Sequence, residues 1–520
     1  VMDSNNIDFS SNTNTEIFDN LSDMIGHPSA TNTIWNLLKS ELFVIISSNI
    51  TEQHNVLGVP IKQAISKGAK AIIIDPRETD LSRFSDNWIK PNINTEHILI
   101  GGIIRSVIDQ SLEDHDFSTK SCENFDEFRN SIWDFDLSRV STETGIAQDE
   151  IQNLAKLIAE SQSTSFLYSL DTISSELKSS ASTSIINLAL LTGNTDKPGA
   201  GIYPLFSGPN EQGARDIGCT PNFMPGYNHN PTSGIGLKQL NESINRGDIK
   251  ALHILGNQAS IGSESGKTIK SIVDKVEFLV VHESFENEFT DCADVVFPSS
   301  LFAEKDGTFT NLERRIHKVN PALGSKFDED EDWRILCQIA LRMGSNAFNY
   351  NTSHEVFTEL STFIQTTDEI SFDKISESGQ IYGVERNYKF KPLSMTLSKG
   401  SIATDTFPMI LTRGRILEES TVDAKIELVN DKNSITRNEI IELNSQDAAD
   451  INILEGDPVK IIGENFELSG VAHLNGINSG TVSTTQLFGS LIEKVQEHKT
   501  EDPMLYFDEL TLIPVRIEKP

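Results

Sequence analysis

Cysteine is nearly absent: the chain's four are Cys122, Cys219, Cys292 and Cys337. None lies near enough to another to make a C-x-x-C clip, so these residues should hold neither an iron–sulfur cluster nor a structural zinc. Thiols this sparse read as reduced and suit a cytoplasmic setting. Long apolar runs are missing too. No stretch approaches the roughly 18 residues of a membrane span, so direct membrane insertion is not expected. Any place on the cytoplasmic face of a membrane would come through partners. Basic charge is in short supply, with 43 Lys and Arg against 76 Asp and Glu and a net charge of −33. Nucleic acid, which demands a basic footprint, is therefore not an expected partner. G-x-G-x-x-G, the usual dinucleotide fingerprint, does not occur. What remains is a chain of 520 residues, 37% hydrophobic, with a mean hydropathy of −0.27. It is too long for one ordinary core and suggests about three domains. The Val1 start suggests a fragment or a processed product.

The α/β pattern begins early. Residues 42–47 (LFVIIS) form a buried-strand run that opens into Ser47-Ser48-Asn49-Ile50-Thr51-Glu52. A helical stretch at 61–66 and a second apolar strand at 71–74 follow, ending in Asp75-Pro76-Arg77. This is a βαβ unit, and both loops fall at the carboxyl ends of parallel strands, where open α/β sheets bind nucleotides. Taken alone, Asp75 and Arg77 could equally be an ordinary strand-end turn with a surface ion pair. Residues 1–33 are polar enough to read as a disordered leader. Residues 94–165 read as helical scaffold, with a 3.6-residue period continuing through 144–159. A short strand at 166–168 precedes an amphipathic helix at 182–191 that ends in Thr192-Gly193-Asn194.

A second α/β half starts with the strand at 249–255, closed by Gly256-Asn257-Gln258, and a helix near 267–273. Strands follow at 278–281 and 295–297. The loop at 303–311 (AEKDGTFTN) comes next, dense in charge and hydroxyls and able to present donors to an oxygen-rich anion. The bland alternative is a solvated turn before Arg314-Arg315. Residues 323–402 read as a bridge with a solvated acidic run (FDEDEDW), a helix at 333–343 and loops. From Phe407 onward, short strands separated by Gly, Asn and Asp suggest a closed barrel.

The run ADVVFPSSLFAEKDGTFTNLERR, with LLTGNTDKPGAGIYPL and PLFSGPNEQGARDIGCTPNFMPGY before it, resembles the molybdopterin oxidoreductase family. The likeness is to its formate dehydrogenase branch, which includes the large iron–sulfur subunit of NADH-quinone oxidoreductase. The resemblance implies an α/β fold: two Rossmann-like domains forming a cofactor cleft, plus a C-terminal double-psi β-barrel. Its expected divisions are 1–208 (without the N-terminal iron–sulfur region), 209–345, a linker at 346–402, and a dinucleotide-binding-like barrel at 403–520. A molybdopterin guanine dinucleotide would be contacted by Ser47, Asn49, Glu52, Asp75, Arg77 and Thr79 in the first half, with Gly193, Asn194 and Gly213. Gly256, Asn257, Glu304, Lys305, Asp306, Thr308 and Asn311 would serve the second half, and Thr412, Gly414 and Arg415 the barrel. Asp75 suits ribose or guanine, and Arg77 suits phosphate.

The same resemblance marks losses. The metal-ligating Cys or selenocysteine position falls on about Asn14, the catalytic His on Thr15, and the catalytic Arg on Phe206. No cysteine precedes Cys122. In the barrel, Glu418 and Glu419 replace a His-rich motif and would repel pterin phosphates. On these grounds the catalytic and metal sites are expected to be empty of function, and the pterin dinucleotide lost or weakly held. Any iron–sulfur cluster would lie only in a missing N-terminal region. The first reading is a structural subunit of a respiratory electron-transfer complex, surrounded by other subunits. The alternatives are a formate dehydrogenase alpha subunit oxidising formate at a bis-molybdopterin guanine dinucleotide site, and a pterin- or nucleotide-binding protein without redox chemistry.

Overall fold

The computed structural model describes residues 2–9, 15–195, 197–206, 208–256, 273–324, 330–397, 403–412, 440–464, 466–484 and 512–520. A five-stranded, all-parallel sheet runs in the order Asn87–Ile89, Lys70–Ile74, Leu42–Ile46, Thr164–Tyr168, Gly201–Pro204. Its central strands, LFVII and TSFLY, are buried along their whole length, as a parallel sheet covered on both faces requires. Leu42–Ile46 pairs with Lys70–Ile74 in the expected parallel register, so Asp75 stands at the carboxyl edge. The polar leader is not all disordered: Thr15–Ile25 is a helix whose Ile17, Phe18, Leu21, Met24 and Ile25 enter the core.

The helical scaffold follows the prediction with two corrections. The period through 144–159 is helix Gln148–Glu160, which starts later than the pattern suggests: Thr144 ends a separate helix, Leu137–Thr144, where Gly145 adopts φ +75°, and Ile146 lies in the connection. The expected amphipathic helix is Ser175–Leu191, buried on every side from Ala181 to Leu191. Within it, Ser184 Oγ bonds Ser180 O one turn back, which satisfies that hydroxyl where it is buried. Helix Glu96–Asp109 carries Gly101 toward the Phe135 ring, where an added Cβ would lie 2.2 Å from a ring carbon.

A second parallel sheet has the order Val295–Pro298, Phe278–Glu283, Ala251–Leu255. The expected loop at 303–311 is in part a strand: Gly307–Thr310 pairs antiparallel with Arg315–Val319, which pairs with Gln380–Ile381. The bridge is also better ordered than its composition suggests. Phe357, Ile364, Ile370, Ile375 and Tyr382 close over Ile316 as a separate core. Tyr388–Lys389 pairs with Cys122–Glu123, and Phe390 stacks on Phe128 at 4.6 Å. Six mixed strands then close a barrel in the order Met409–Thr412, Thr481–Thr484, Ile440–Asn444, Glu467–Asn475, Pro458–Ile462, Leu512–Glu518. Among the described residues, no helix is long and apolar enough to cross a membrane.

Candidate functional site

The strand order of the first sheet reverses between Leu42–Ile46 and Thr164–Tyr168. The loops leaving their carboxyl ends part there and open a crevice, the place where such sheets take ligands. Ser47 sits at its mouth with φ +45°. Its carbonyl accepts from Asp171 N at 2.9 Å and from Ser169 Oγ at 3.1 Å, which fixes the two loops to each other.

Asp75 and Arg77 meet here as a pair, with Arg77 Nε on Asp75 Oδ1 at 3.0 Å and Nη2 on Oδ2 at 2.9 Å. Arg77 N adds a third bond to the same carboxylate at 2.9 Å. The pair is no surface bridge: Asp75 is 0% and Arg77 3% exposed. Burial works against the guanidinium charge, but Asp75 outweighs it and raises the Arg77 pKa.

Helix Glu96–Asp109 begins at the same edge, and its first residue is a fully buried acid. Glu96 Oε1 is 3.4 Å from Ser47 Oγ and 3.3 Å from Thr172 Oγ1, while Oε2 has no partner. Burial foremost, with Asp75 adding to it, pushes the carboxyl pKa up to about 8. Sequence reasoning missed Glu96 and Asp171. The available signal was an acid opening a helix directly after a strand-end loop.

The barrel lies over this edge. Asn478 N donates to Pro76 O at 3.1 Å, and Gly476 N donates to Glu78 Oε2 at 2.9 Å. Asn478 Nδ2 reaches Pro91 O at 2.8 Å, and Lys90 Nζ returns to Gly476 O at 3.1 Å. On the outer face of its barrel strand, opposite the core residues Ile441 and Leu443, Glu442 accepts from Ser483 Oγ; burial pushes its carboxyl pKa up, and Ser483, with Arg77 more weakly, draws it down in part.

Buried side-chain atoms without partners collect at this edge: Ser48 Oγ, Asn49 Oδ1, Thr79 Oγ1, Glu96 Oε2, Asp171 Oδ2 and Thr484 Oγ1. A buried polar atom left unpaired costs roughly 1–3 kcal/mol. Such a concentration at one crevice is the chemistry of a site that expects a polar ligand. Three of these atoms are hydroxyls, able to donate or accept, and three are amide or carboxyl oxygens.

Of the expected contact residues, Ser47, Asn49, Glu52, Asp75, Arg77 and Thr79 come together here. Asn49 Nδ2 already donates to Glu52 Oε2 at 2.8 Å. Thr412 ends its barrel strand fully buried, with Oγ1 unpartnered. Gly193 and Asn194 do not join them. Asn194 Oδ1 accepts from Thr164 N at 2.9 Å, which places the pair at the amino edge of the sheet. Gly213 lies in helix Glu211–Asp216, tied through Asn210 Oδ1 to Thr310 N at 2.8 Å. Gly256 ends its strand with φ +63°. The loop residues turn largely inward: Glu304 caps Leu301 N at 2.9 Å, Lys305 pairs with Asp332 at 2.5 Å, and Asp306 accepts from Ser353 Oγ at 2.9 Å. Thr308 is in a strand, and Asn311 Oδ1 holds the turn through Arg315 N at 3.0 Å. Asn14, Asn257, Gly414, Arg415, Glu418 and Glu419 lie outside the described residues.

Thr15 opens the first helix, and with Phe18, Asp19, Arg215 and Tyr227 it lines a small cavity. Phe206 packs edge-on against Phe18, with ring centroids 5.6 Å apart. Among the described residues, no group of three His, Cys, Asp or Glu side chains is placed to hold a metal ion.

Two parallel α/β sheets and a closed barrel over a polar switch-point crevice make up the architecture of the site. Residues 2–342 match the molybdopterin oxidoreductase family, and the chain belongs to it. Its relatives include the F420-dependent formate dehydrogenase subunit alpha of Methanocaldococcus jannaschii, 28% identical over 538 residues, spanning 96% of this chain and 79% of that one. A candidate formate dehydrogenase of Staphylococcus haemolyticus is 29% identical over 487 residues, 86% of this chain but only 49% of its own length. The chain thus spans about half of that relative. Among solved structures, acetylene hydratase from Pelobacter acetylenicus superposes with a TM-score of 0.70 over 98% of this chain and 81% of its own, at 15% identity. That likeness is one of fold. The named relatives are formate dehydrogenases, so the respiratory-complex subunit taken first from the sequence is the less supported comparison.

Proposed function

We propose that this chain is the alpha-type, dinucleotide-binding subunit of a formate dehydrogenase-like oxidoreductase, working with partner subunits that carry electrons to and from it. The unpartnered polar atoms at the switch-point crevice carry this reading. The two parallel sheets are read as the Rossmann-like pair, divided near residues 208 and 345, and the region from about 403 as the double-psi cap. Glu96 and Asp171 would accept hydrogen bonds from the N–H edge of a base or from ribose hydroxyls, while Asn49 and Thr79 position the sugar-phosphate. Arg77 would meet a phosphate only by sharing its guanidinium with Asp75. A bound pterin carrying molybdenum supplies two-electron chemistry.

For the metal itself the residues do not fit. An amide at about 14 is a weak oxygen donor to a soft, high-valent centre, Thr15 brings no imidazole, and Phe206 cannot neutralise a carboxylate. No step through the metal is derived. These three positions favour a second reading, in which the chain keeps the dinucleotide without oxidising formate. One preparation from a host that makes the cofactor separates the readings. Bound pterin with molybdenum and formate-dependent viologen reduction supports the enzyme. Bound pterin without dye reduction supports the binder. Protein that carries no pterin would sink both.

A further inference from the structure

The second parallel sheet carries a side-chain cluster that the crevice does not use. His253 and His282 stand on neighbouring parallel strands, with Val280 level with His253 and Leu255 level with His282. They therefore share one face, a diagonal step apart, and their Nε2 atoms are 2.8 Å from each other. His282 is fully buried, with the Phe297 ring 5.2 Å from its own. Its Nδ1 lies 3.1 Å from Asp332 Oδ1. Asp332 also accepts from Ser299 Oγ at 2.7 Å and from Lys305 Nζ at 2.5 Å. An ionised carboxylate only accepts, so the hydrogen on His282 belongs to Nδ1. Its Nε2 is left as a lone pair aimed at His253. His253 is exposed, so the pair is open to solvent from one side.

We propose that His253 and His282 form a two-imidazole site for a borderline divalent transition metal such as Zn²⁺, Ni²⁺ or Cu²⁺. The ion takes the place of the hydrogen that the two Nε2 atoms share; that hydrogen moves to Nδ1 of His253 as the neutral ring changes tautomer, so each imidazole binds in its neutral form with no net loss of a proton. With metal–nitrogen bonds of about 2.0–2.1 Å, two tetrahedral ligands sit roughly 3.3 Å apart. Only a small outward swing of the exposed His253 is needed. Asp332 behind His282 fixes the tautomer and ring orientation, the carboxylate–histidine–metal arrangement. Lys305 does not oppose the ion strongly, because its charge is taken up by Asp332. The remaining coordination positions are left for water or a small anion. Imidazole pairs select these metals over Mg²⁺ and Ca²⁺, which want oxygen.

The test is calorimetric titration of the metal-stripped full chain with ZnCl₂, and separately with MgCl₂, in two buffers of different ionisation heat. The expected result is one Zn²⁺ per chain in the micromolar range, with the same heat in both buffers because no net proton is released, and no heat from Mg²⁺. His253→Ala is on the exposed side and should keep the fold, verified by circular dichroism, yet remove the binding. Asp332→Asn should weaken it by roughly 10- to 100-fold. Zn²⁺ binding unchanged in His253→Ala, or absent from the parent, would overturn the assignment. Neither outcome bears on the dinucleotide crevice, whose ligand is read by pterin content.

Discussion

Glu96→Gln is the most informative single substitution, because the group is buried, half-satisfied and at the mouth of the crevice. Its pKa is raised from an ordinary 4.5 to about 8, chiefly by burial. The folded protein therefore keeps a proton that the unfolded chain sheds near 4.5. Stability contributed by that proton is fully present below about 4.5 and drains away as pH rises to about 8. The displacement corresponds to about 5 kcal/mol once both states are ionised. Two long hydrogen bonds, 3.4 Å from Ser47 and 3.3 Å from Thr172, are too weak to hold the anion against that cost. Glutamine keeps an acceptor for both hydroxyls and cannot ionise. Urea unfolding of parent and variant should therefore diverge: the parent loses stability across this interval, while Glu96→Gln stays flatter and overtakes it at the alkaline end. Parallel stability–pH curves for the two proteins would refute the reasoning. A ligand that donates N–H groups to the carboxylate should lower its pKa and flatten the parent's slope as well.

Two further outcomes follow from the same edge and its neighbours. Arg77→Met strands Asp75 in a fully buried position and should cost about 3–5 kcal/mol by denaturant titration, with most of the loss recovered in the Asp75→Asn, Arg77→Met double variant. Gly226→Ala should lower the melting temperature clearly, because Gly226 holds φ +73° and an added Cβ would lie 2.3 Å from the Phe363 carbonyl oxygen.

How far the sequence carried depended on whether the signal was local. The first sheet was legible because residues 42–46 and 71–74 are unbroken apolar runs, and short runs of this kind have few places to go but a covered parallel sheet. The barrel was legible from its alternating short strands. The break at Gly145 was not. Thr144 and Ile146 fit the period of Ile151, Leu154 and Ile158, but the left-handed φ at Gly145 ends one helix at Thr144 and the next begins only at Gln148. Ser175–Leu191 misled in the opposite way, since a residue such as Ser184, whose hydroxyl bonds its own helix backbone, looks polar in sequence and is buried in the fold. Asn187 adds to this by spending its amide on Lys391 O and N, at 2.8 and 3.2 Å. The crevice itself was half visible. Asp75 and Arg77 end a recognisable strand, but Glu96 and Asp171 reach it from separate elements, and no local period or spacing marks their convergence.

Under the proposed function Phe206 stands where an arginine would serve, and the arginine nearby does not take its place. Arg215 is 3% exposed, and its guanidinium lies 3.5 Å over the Phe18 ring and 5.6 Å from that of Phe206. The Phe9 ring is 5.2 Å away on another side. Glu211 Oε2 accepts from its Nη1 at 3.1 Å, and burial lowers its pKa against the pull of Glu211. A cation enclosed by three phenyl rings and neutralised by a buried carboxylate has little field left for an incoming anion. Asp19, on the wall of the same cavity, adds the wrong sign when ionised; burial and Glu16 raise its carboxyl pKa. Phe206, Phe18, Arg215 and Glu211 thus act as one packed unit. Within that unit, replacing Phe206 by arginine would place a second guanidinium beside a caged one, so under the proposed function the single substitution should not by itself create a carboxylate site.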